Sequence, residues 1–282
     1  MLKKSLLLGS TAVLSAAIAT PASAQVEEII VTATKREQTL QEIPIAVSVT
    51  TGETIEQATI LDISDLQTVV PSLRVTQLQN AGATNFIIRG FGNGANNPGI
   101  EPSVGVFIDG VYRSRSGAQI GDLPRLNRSE VLLGPQSTLF GKNASVGVIS
   151  LVTEKPSFEP TGEFELTYGN FNQVRGKAYY SQGVGDDFAY AISGGFNRRD
   201  GFSESFQPGV DDLNDRDRLN LRFDSIYQVN DDTEFRFIAD YSEINEVCCV
   251  AQFTDAFTGA APVLNGLPVG TCLLYTSDAA DE

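Results

Sequence analysis

Few residues of this chain are equipped for chemistry. Gly134, Gly141 and Lys142 come nearest, in the stretch EVLLGPQSTLFGKNASVGVISLVTEKP, Glu130–Pro156. A phosphate-cradling loop needs Gly, four residues, then Gly-Lys-Ser/Thr, so that backbone N–H groups surround the phosphate and a hydroxyl reaches its magnesium. Here six residues separate the glycines and Asn143 follows the lysine. The loop is too long and the hydroxyl is missing.

Other constellations fare no better. Histidine is absent, which removes Ser-His-Asp and Cys-His catalysis and the commonest zinc ligand. No acid–base or nucleophile–base pair stands out, so no enzyme is expected. Asp211–Asp217, DDLNDRD, has the look of calcium ligands but lacks the glycine and the distal glutamate of an EF-hand. No metal site or cofactor is expected. Asn143-Ala144-Ser145 fits a glycosylation sequon by chance. Cys248, Cys249 and Cys272 could form a loop disulfide after export. Adjacent cysteines rarely bond each other, so Cys272 with either of the others is the simplest pairing, and one thiol is left over. The net charge of −15 argues against nucleic-acid binding and against docking on an anionic lipid surface.

The elements that must hold any site fall into distinct stretches. Residues 1–24 read as a cleaved export signal: Lys3 and Lys4, an apolar run from Leu6 to Ala19, then Ala22-Ser23-Ala24. That run is too short to span a bilayer, and nothing later is apolar for long enough to be a membrane helix. Residues 43–157 mix short strands and helices. IPIAVSV (Ile43–Val49), NFIIRG, SVGVFIDGVY and SEVLL read as strands cut by Gly, Pro and Asp. DISDLQTVVP predicts a helix with Ser64 as N-cap, Gln67 completing a capping box, Ile63 stapled onto Leu66, Val69 and Val70, and Pro71 as the stop.

From residue 158 the rhythm changes to strict alternation. Phe164, Leu166 and Tyr168 face away from Glu163, Glu165 and Thr167. Val174, Gly176, Ala178 and Tyr180 oppose Arg175, Lys177 and Ser181. Three further segments, through Phe188–Phe196, Leu219–Tyr227 and Phe235–Tyr241, repeat the pattern. A soluble sandwich would turn the polar face to water and the apolar face to a second sheet. A membrane barrel would turn the apolar face to lipid and the charged face to a wet lumen. Tight turns at 183–187 and 229–232, long polar loops at 199–216 and beyond 245, and aromatics at strand ends (Tyr168, Phe171, Tyr227, Tyr241) favour the barrel.

A signal, a small α+β domain and then barrel strands is a restrictive combination, and the motifs fit one family. EEIIVTAT (Glu27–Thr34), FIIRGFG, GVFIDGVY and SEVLLGPQSTLFGKNASVGVISLVTEKP resemble the TonB box and the plug signature of the TonB-dependent outer-membrane receptors. The resemblance implies an α+β plug domain followed by the first antiparallel strands of a transmembrane β-barrel. It implies a cleaved chain sited in the outer membrane and in contact with its lipid. It also implies coupling to TonB and its inner-membrane energising complex, and import of a scarce solute, most commonly a ferric siderophore. Residues 25–42 are then the box and linker, with Ile29, Ile30, Val31, Thr32 and Ala33 binding TonB. An extended segment there can add a strand to a partner's sheet by main-chain hydrogen bonds.

Plug contacts and turns are expected at Arg89, Gly90, Asp109, Gly110, Glu130, Gly134, Pro135, Gly141 and Lys142, with Arg89 paired to a carboxylate of plug or wall. Gly92, Asn93, Asn96 and Asn97 lie in a candidate solute-binding apex loop. Arg175, Lys177, Arg218, Arg222, Arg236, Glu163 and Glu165 would line the lumen. Leu133 stands where the family usually has a basic residue, so one plug–barrel polar contact is expected to be missing.

A plugged transporter barrel has about 22 strands, so residues 158–271 are expected to be only part of one. Residues 272–282, CLLYTSDAADE, break the alternation and read as a foreign tail. The rival reading is a soluble periplasmic or secreted binding or adhesion protein, with an α+β domain and a β-sandwich.

Overall fold

The computed structural model describes residues 29–36, 38–77, 84–92, 101–114, 122–203, 212–230 and 232–247, with the backbone of 263–264 and 267–268. The signal segment, Asn93, Asn96, Asn97 and the three cysteines lie outside the described residues.

A short N-terminal hairpin pairs β1 (Ile30–Val31) with β2 (Gln38–Thr39). The domain that follows is built on a mixed five-stranded sheet. Its strands are β3 (Val47–Thr51), β7 (Val104–Ile108), β8 (Val111–Tyr112), β9 (Leu126–Leu133) and β10 (Gly147–Thr153), in the order β3-β9-β10-β7-β8. Only the β10–β7 pair is parallel. A three-stranded antiparallel sheet holds β4 (Leu73–Gln77), β5 (Thr84–Ile88) and β6 (Phe91–Gly92).

The mixed sheet is buried on both faces, which is why its central strands read as continuous apolar runs without alternation. Val131, Ile149, Leu151, Val104 and Val106 face one cluster, with Ile63, Leu66, Phe86 and Ile88. Leu132, Val148 and Phe107 face the other, with Val31, Ala33, Ile43 and Ala144. Gly147 is needed at the crossing of the two sheets. A Cβ there would sit 2.5 Å from Leu132 O and 2.6 Å from Ile88 Cδ1.

Two expectations need correction. The strand expected over Ile43–Val49 spans Val47–Thr51, because Pro44 has no N–H to give to a ladder. The helix is a 3₁₀ segment, Ile63–Thr68, capped by Asp62 rather than Ser64. Asp62 Oδ1 accepts from the Ser64 and Asp65 N–H groups, and Asp65 Oδ2 accepts from Leu61 and Asp62. Gln67 reaches out to the Val75 N–H instead.

The remaining strands form one antiparallel meander: β11 (Thr161–Gly169), β12 (Gln173–Val184), β13 (Phe188–Arg199), β14 (Arg216–Asn230) and β15 (Thr233–Ile244). Register places the residues in rungs. Phe164, Ala178, Gly194, Leu221 and Tyr241 share one rung and one face. Glu163, Tyr179, Ser193, Arg222 and Asp240 share the next rung on the opposite face. Phe164, Leu166, Ile192, Leu221, Phe235 and Phe237 are exposed, so the apolar face is uncovered, while the charged face packs on the mixed-sheet domain. The sheet is an open segment of barrel wall, with the plug against its inner side.

Candidate functional site

The segment Ile29–Ala33 is docked rather than free. Its alternation does the docking: Val31 and Ala33 are fully buried, while Ile29 and Ile30 are exposed. Leu40 N–H donates to Ile29 O at 2.9 Å, closing the hairpin. Between the two buried side chains, the Thr32 backbone N–H donates to Glu130 Oε1 at 2.9 Å and its hydroxyl lies 3.2 Å from the same oxygen. Arg128 Nε donates to that oxygen at 2.7 Å, and its Nη2 reaches Thr32 Oγ1 at 3.3 Å. Glu130 is fully buried in β9, so a carboxylate inside the plug holds the segment by its main chain. Lys35 follows at positive φ and lies over the Phe107 and Phe140 rings.

A second constellation ties plug to wall. Asp109 and Gly110 both have positive φ in the β7–β8 turn, a geometry that Asp tolerates and Gly favours. That turn aims the Asp109 carboxylate at the wall. It accepts from the Thr153 N–H at 2.9 Å and the Thr153 hydroxyl. It also pairs with Arg222 at 2.5 Å and Arg236 at 3.5 Å. Asp224 completes the group on Arg236.

Farther along β14, Arg218 Nη1 lies 2.9 Å from Asp62 and 3.2 Å from Asp122, and its Nε meets Glu246. All four side chains are under 5 % exposed. Arg113–Asp240, Lys155–Glu234 and Arg125–Glu163 add more exposed ties. Removing one partner of a buried ion pair strands the other, so such pairs fix a docked geometry more surely than they add stability.

The other expected residues divide. Gly90, Gly134 and Gly141 are positive-φ turn positions, and Pro135 follows Gly134 in the turn that leaves β9. Lys142 is exposed and pairs with Glu101 at 2.7 Å. Arg89 is exposed in the turn after β5 with its N–H on Ser72 O, and no ion pair to it is found among the described residues. Leu133 packs on the apolar core instead of supplying a charge. Gly92 closes β6, and Asn93, Asn96 and Asn97 lie outside the described residues. Arg175, Lys177, Arg218, Arg222, Arg236, Glu163 and Glu165 all fall on the plug-facing side of the wall.

Residues 39–148 match the family model described as TonB-dependent Receptor Plug Domain. The chain carries the plug domain of the TonB-dependent receptors. The receptor chain is 29% identical to the ferrioxamine B receptor of Salmonella typhimurium over 151 residues, covering 52% of this chain and 20% of that protein. It is 30% identical to an iron-regulated outer membrane virulence protein of Vibrio cholerae, covering 54% and 24%. It thus spans about a fifth to a quarter of the curated relatives it matches.

Among solved structures, the ferric yersiniabactin uptake receptor FyuA of Yersinia pestis superposes with a TM-score of 0.65 at 25% identity, over 70% of this chain and 31% of that one. The pyoverdine receptor FpvA of Pseudomonas aeruginosa shares the fold, with a TM-score of 0.63 at 20% identity over 76% and 30%.

Asp62 and Asp122 as wall anchors were not legible in the sequence; Asp109, expected as a plug contact or turn, meets Arg222 and Arg236 of the wall.

Proposed function

We propose that the whole receptor imports an iron–siderophore complex, driven through TonB and its inner-membrane energising complex. The observation that carries this reading is the Ile29–Ala33 segment. It is strand-shaped, held to the plug by one buried carboxylate, and continuous with the plug core through Val31 and Ala33. A partner that takes this strand onto its own sheet gains main-chain hydrogen bonds. Pulling on it then loads β9 directly through Glu130. The siderophore class is supported by the names of the relatives, among them ferrioxamine and yersiniabactin receptors.

Residues 25–42 serve as the box and linker, and the mixed-sheet domain as the plug. The apolar face of β11–β15 meets outer-membrane lipid. The soluble reading would need a second sheet over Phe164, Leu166 and Ile192, and the described residues supply none. No bond in the solute is made or broken. The test is uptake of a panel of radio-iron siderophores by cells carrying the full-length receptor. Saturable uptake of at least one, abolished by a protonophore, is expected. Uptake that survives the protonophore contradicts the proposal.

A further inference from the structure

Between plug and wall lies a cavity of about 340 Å³. Ile55, Glu56 and Arg125 bound it on the plug side, and the inner rungs of β11–β14 on the other. The wall leaves room because β13 contributes only small residues here: Gly195, across from Lys177, has no side chain, and Ser193 stands on the neighbouring rung.

The donors in this cavity outnumber their partners. Arg175 has a side chain 7% exposed. Its Nη2 is taken by Glu165, with Thr167 Oγ1 at 3.5 Å, but its buried Nη1 has no hydrogen-bond partner. Lys177 projects to the same face two residues on and lies directly across from Glu165. Glu165 has turned to Arg175 and Thr167, so Lys177 Nζ makes no hydrogen bond or ion pair among the described residues. Of the other carboxylates near Lys177, Glu163 is held by Arg125, which also holds Glu154, and Asp122 is held by Arg218. Glu56 lines the plug side and is exposed. A buried donor left without a partner costs free energy, more so when it is charged. Two cations held on one face repel each other as well. A small anion would satisfy Lys177, and Arg175 Nη1 after a turn of the guanidinium.

We propose that this cavity is a binding site for a carboxylate-type oxyanion, held by Lys177 Nζ with Ser193 and Asn220 as neutral partners, and completed by Arg175 Nη1, which is buried in this structure and turns toward the bound anion. The group has two possible sources: a free carboxylate from the medium, or a carboxylate carried by a solute passing between plug and wall. The site stands independently of the import reading, because its occupancy is an equilibrium property of the resting receptor.

The test uses the detergent-solubilised full-length receptor. Acetate is titrated against chloride at constant ionic strength, while thermal unfolding and the linewidth of ¹³C-acetate are followed. A saturable response is expected, with half-effect on the order of 1 mM. It should be lost in Lys177→Gln and retained in Lys142→Gln, a surface control. Arg175→Gln is the less clean variant, since it also releases Glu165. No acetate response, or the same response in Lys177→Gln, overturns the proposal. Where binding holds, the effect of acetate on energised uptake distinguishes the sources. Slowing in the native receptor but not in Lys177→Gln assigns the site to the solute's path; no slowing assigns it to a free anion.

Discussion

Asp62 Oδ2 lies 2.9 Å from Arg218 Nη1, while Oδ1 of the same carboxylate caps the Ile63–Thr68 segment through the Ser64 N–H at 2.8 Å. A local helix cap and the anchor of the plug on the wall are therefore one side chain. Any rotation of the 3₁₀ segment moves the partner of Arg218, and any movement of β14 pulls on the cap.

Arg218→Gln tests that anchor. It leaves Asp122 buried without its cation, and Asp62 and Glu246 with Arg216 alone, whose Nη1 lies 3.2 Å from Asp62 and 3.9 Å from Glu246. The expected loss is about 3–5 kcal/mol of plug stability, read by urea unfolding of the full-length receptor. Adding Asp122→Asn should restore part of the loss, because it removes the stranded charge. A loss under about 1 kcal/mol would mean that the cluster is hydrated.

Glu130→Gln tests the latch on the box. The carboxylate accepts from the Thr32 N–H, the Thr32 hydroxyl and Arg128. Loss of its charge weakens those bonds by about 1 kcal/mol, and the amide adds a buried donor. A soluble TonB periplasmic domain should bind the solute-free variant roughly tenfold more tightly than the native receptor. Equal affinity would place the control of access elsewhere.

The wall was legible because a hairpin meander converts alternation directly into two faces. Phe164 and Glu163 part company in sequence just as they do in space. The Ile29–Ala33 segment showed its extended form but not its docking. Burial of Val31 and Ala33 depends on Leu132 and Val148, about a hundred residues away, and no local pattern carries that. The cap was missed for a nearer reason. Asp62-Ile63-Ser64-Asp65 is a capping box with aspartate at both ends, one residue type short of the usual Glu or Gln. Arg89 looked like the charge that would meet the wall. The buried anchors are instead plug carboxylates on wall arginines, pairs that only the docking of two units creates.

Asp65 offers a pH test. Burial raises its carboxyl above the ordinary range, and the charge of Asp62 adds to the effect. A raised folded-state value means that ionisation works against folding. The contribution is fully present below the unfolded value, about pH 4, and is lost as pH rises through the folded value. Asp65→Asn removes this dependence. The variant should lose least relative to the native receptor near pH 7, and should fall behind as pH drops toward 4. A difference in unfolding free energy that is flat with pH would contradict the assignment.

Ile192→Arg tests the lipid face. Ile192 is exposed at the middle of β13, on a rung with Tyr180 and Phe223. An arginine at the bilayer midplane costs about 2–4 kcal/mol, so membrane assembly of the full-length receptor should fall sharply. Ile192→Leu should assemble normally. Equal assembly of both would mean that this face is covered by protein.

The most direct test of the central claim is Ile30→Pro in the full-length receptor, with external binding and energised uptake of the same ferric siderophore measured side by side. Ile30 is exposed on β1, and proline removes a main-chain donor without entering the plug core. Binding retained with uptake abolished is the expected result. Uptake at the native rate would contradict the assignment of Ile29–Ala33 as the coupling strand.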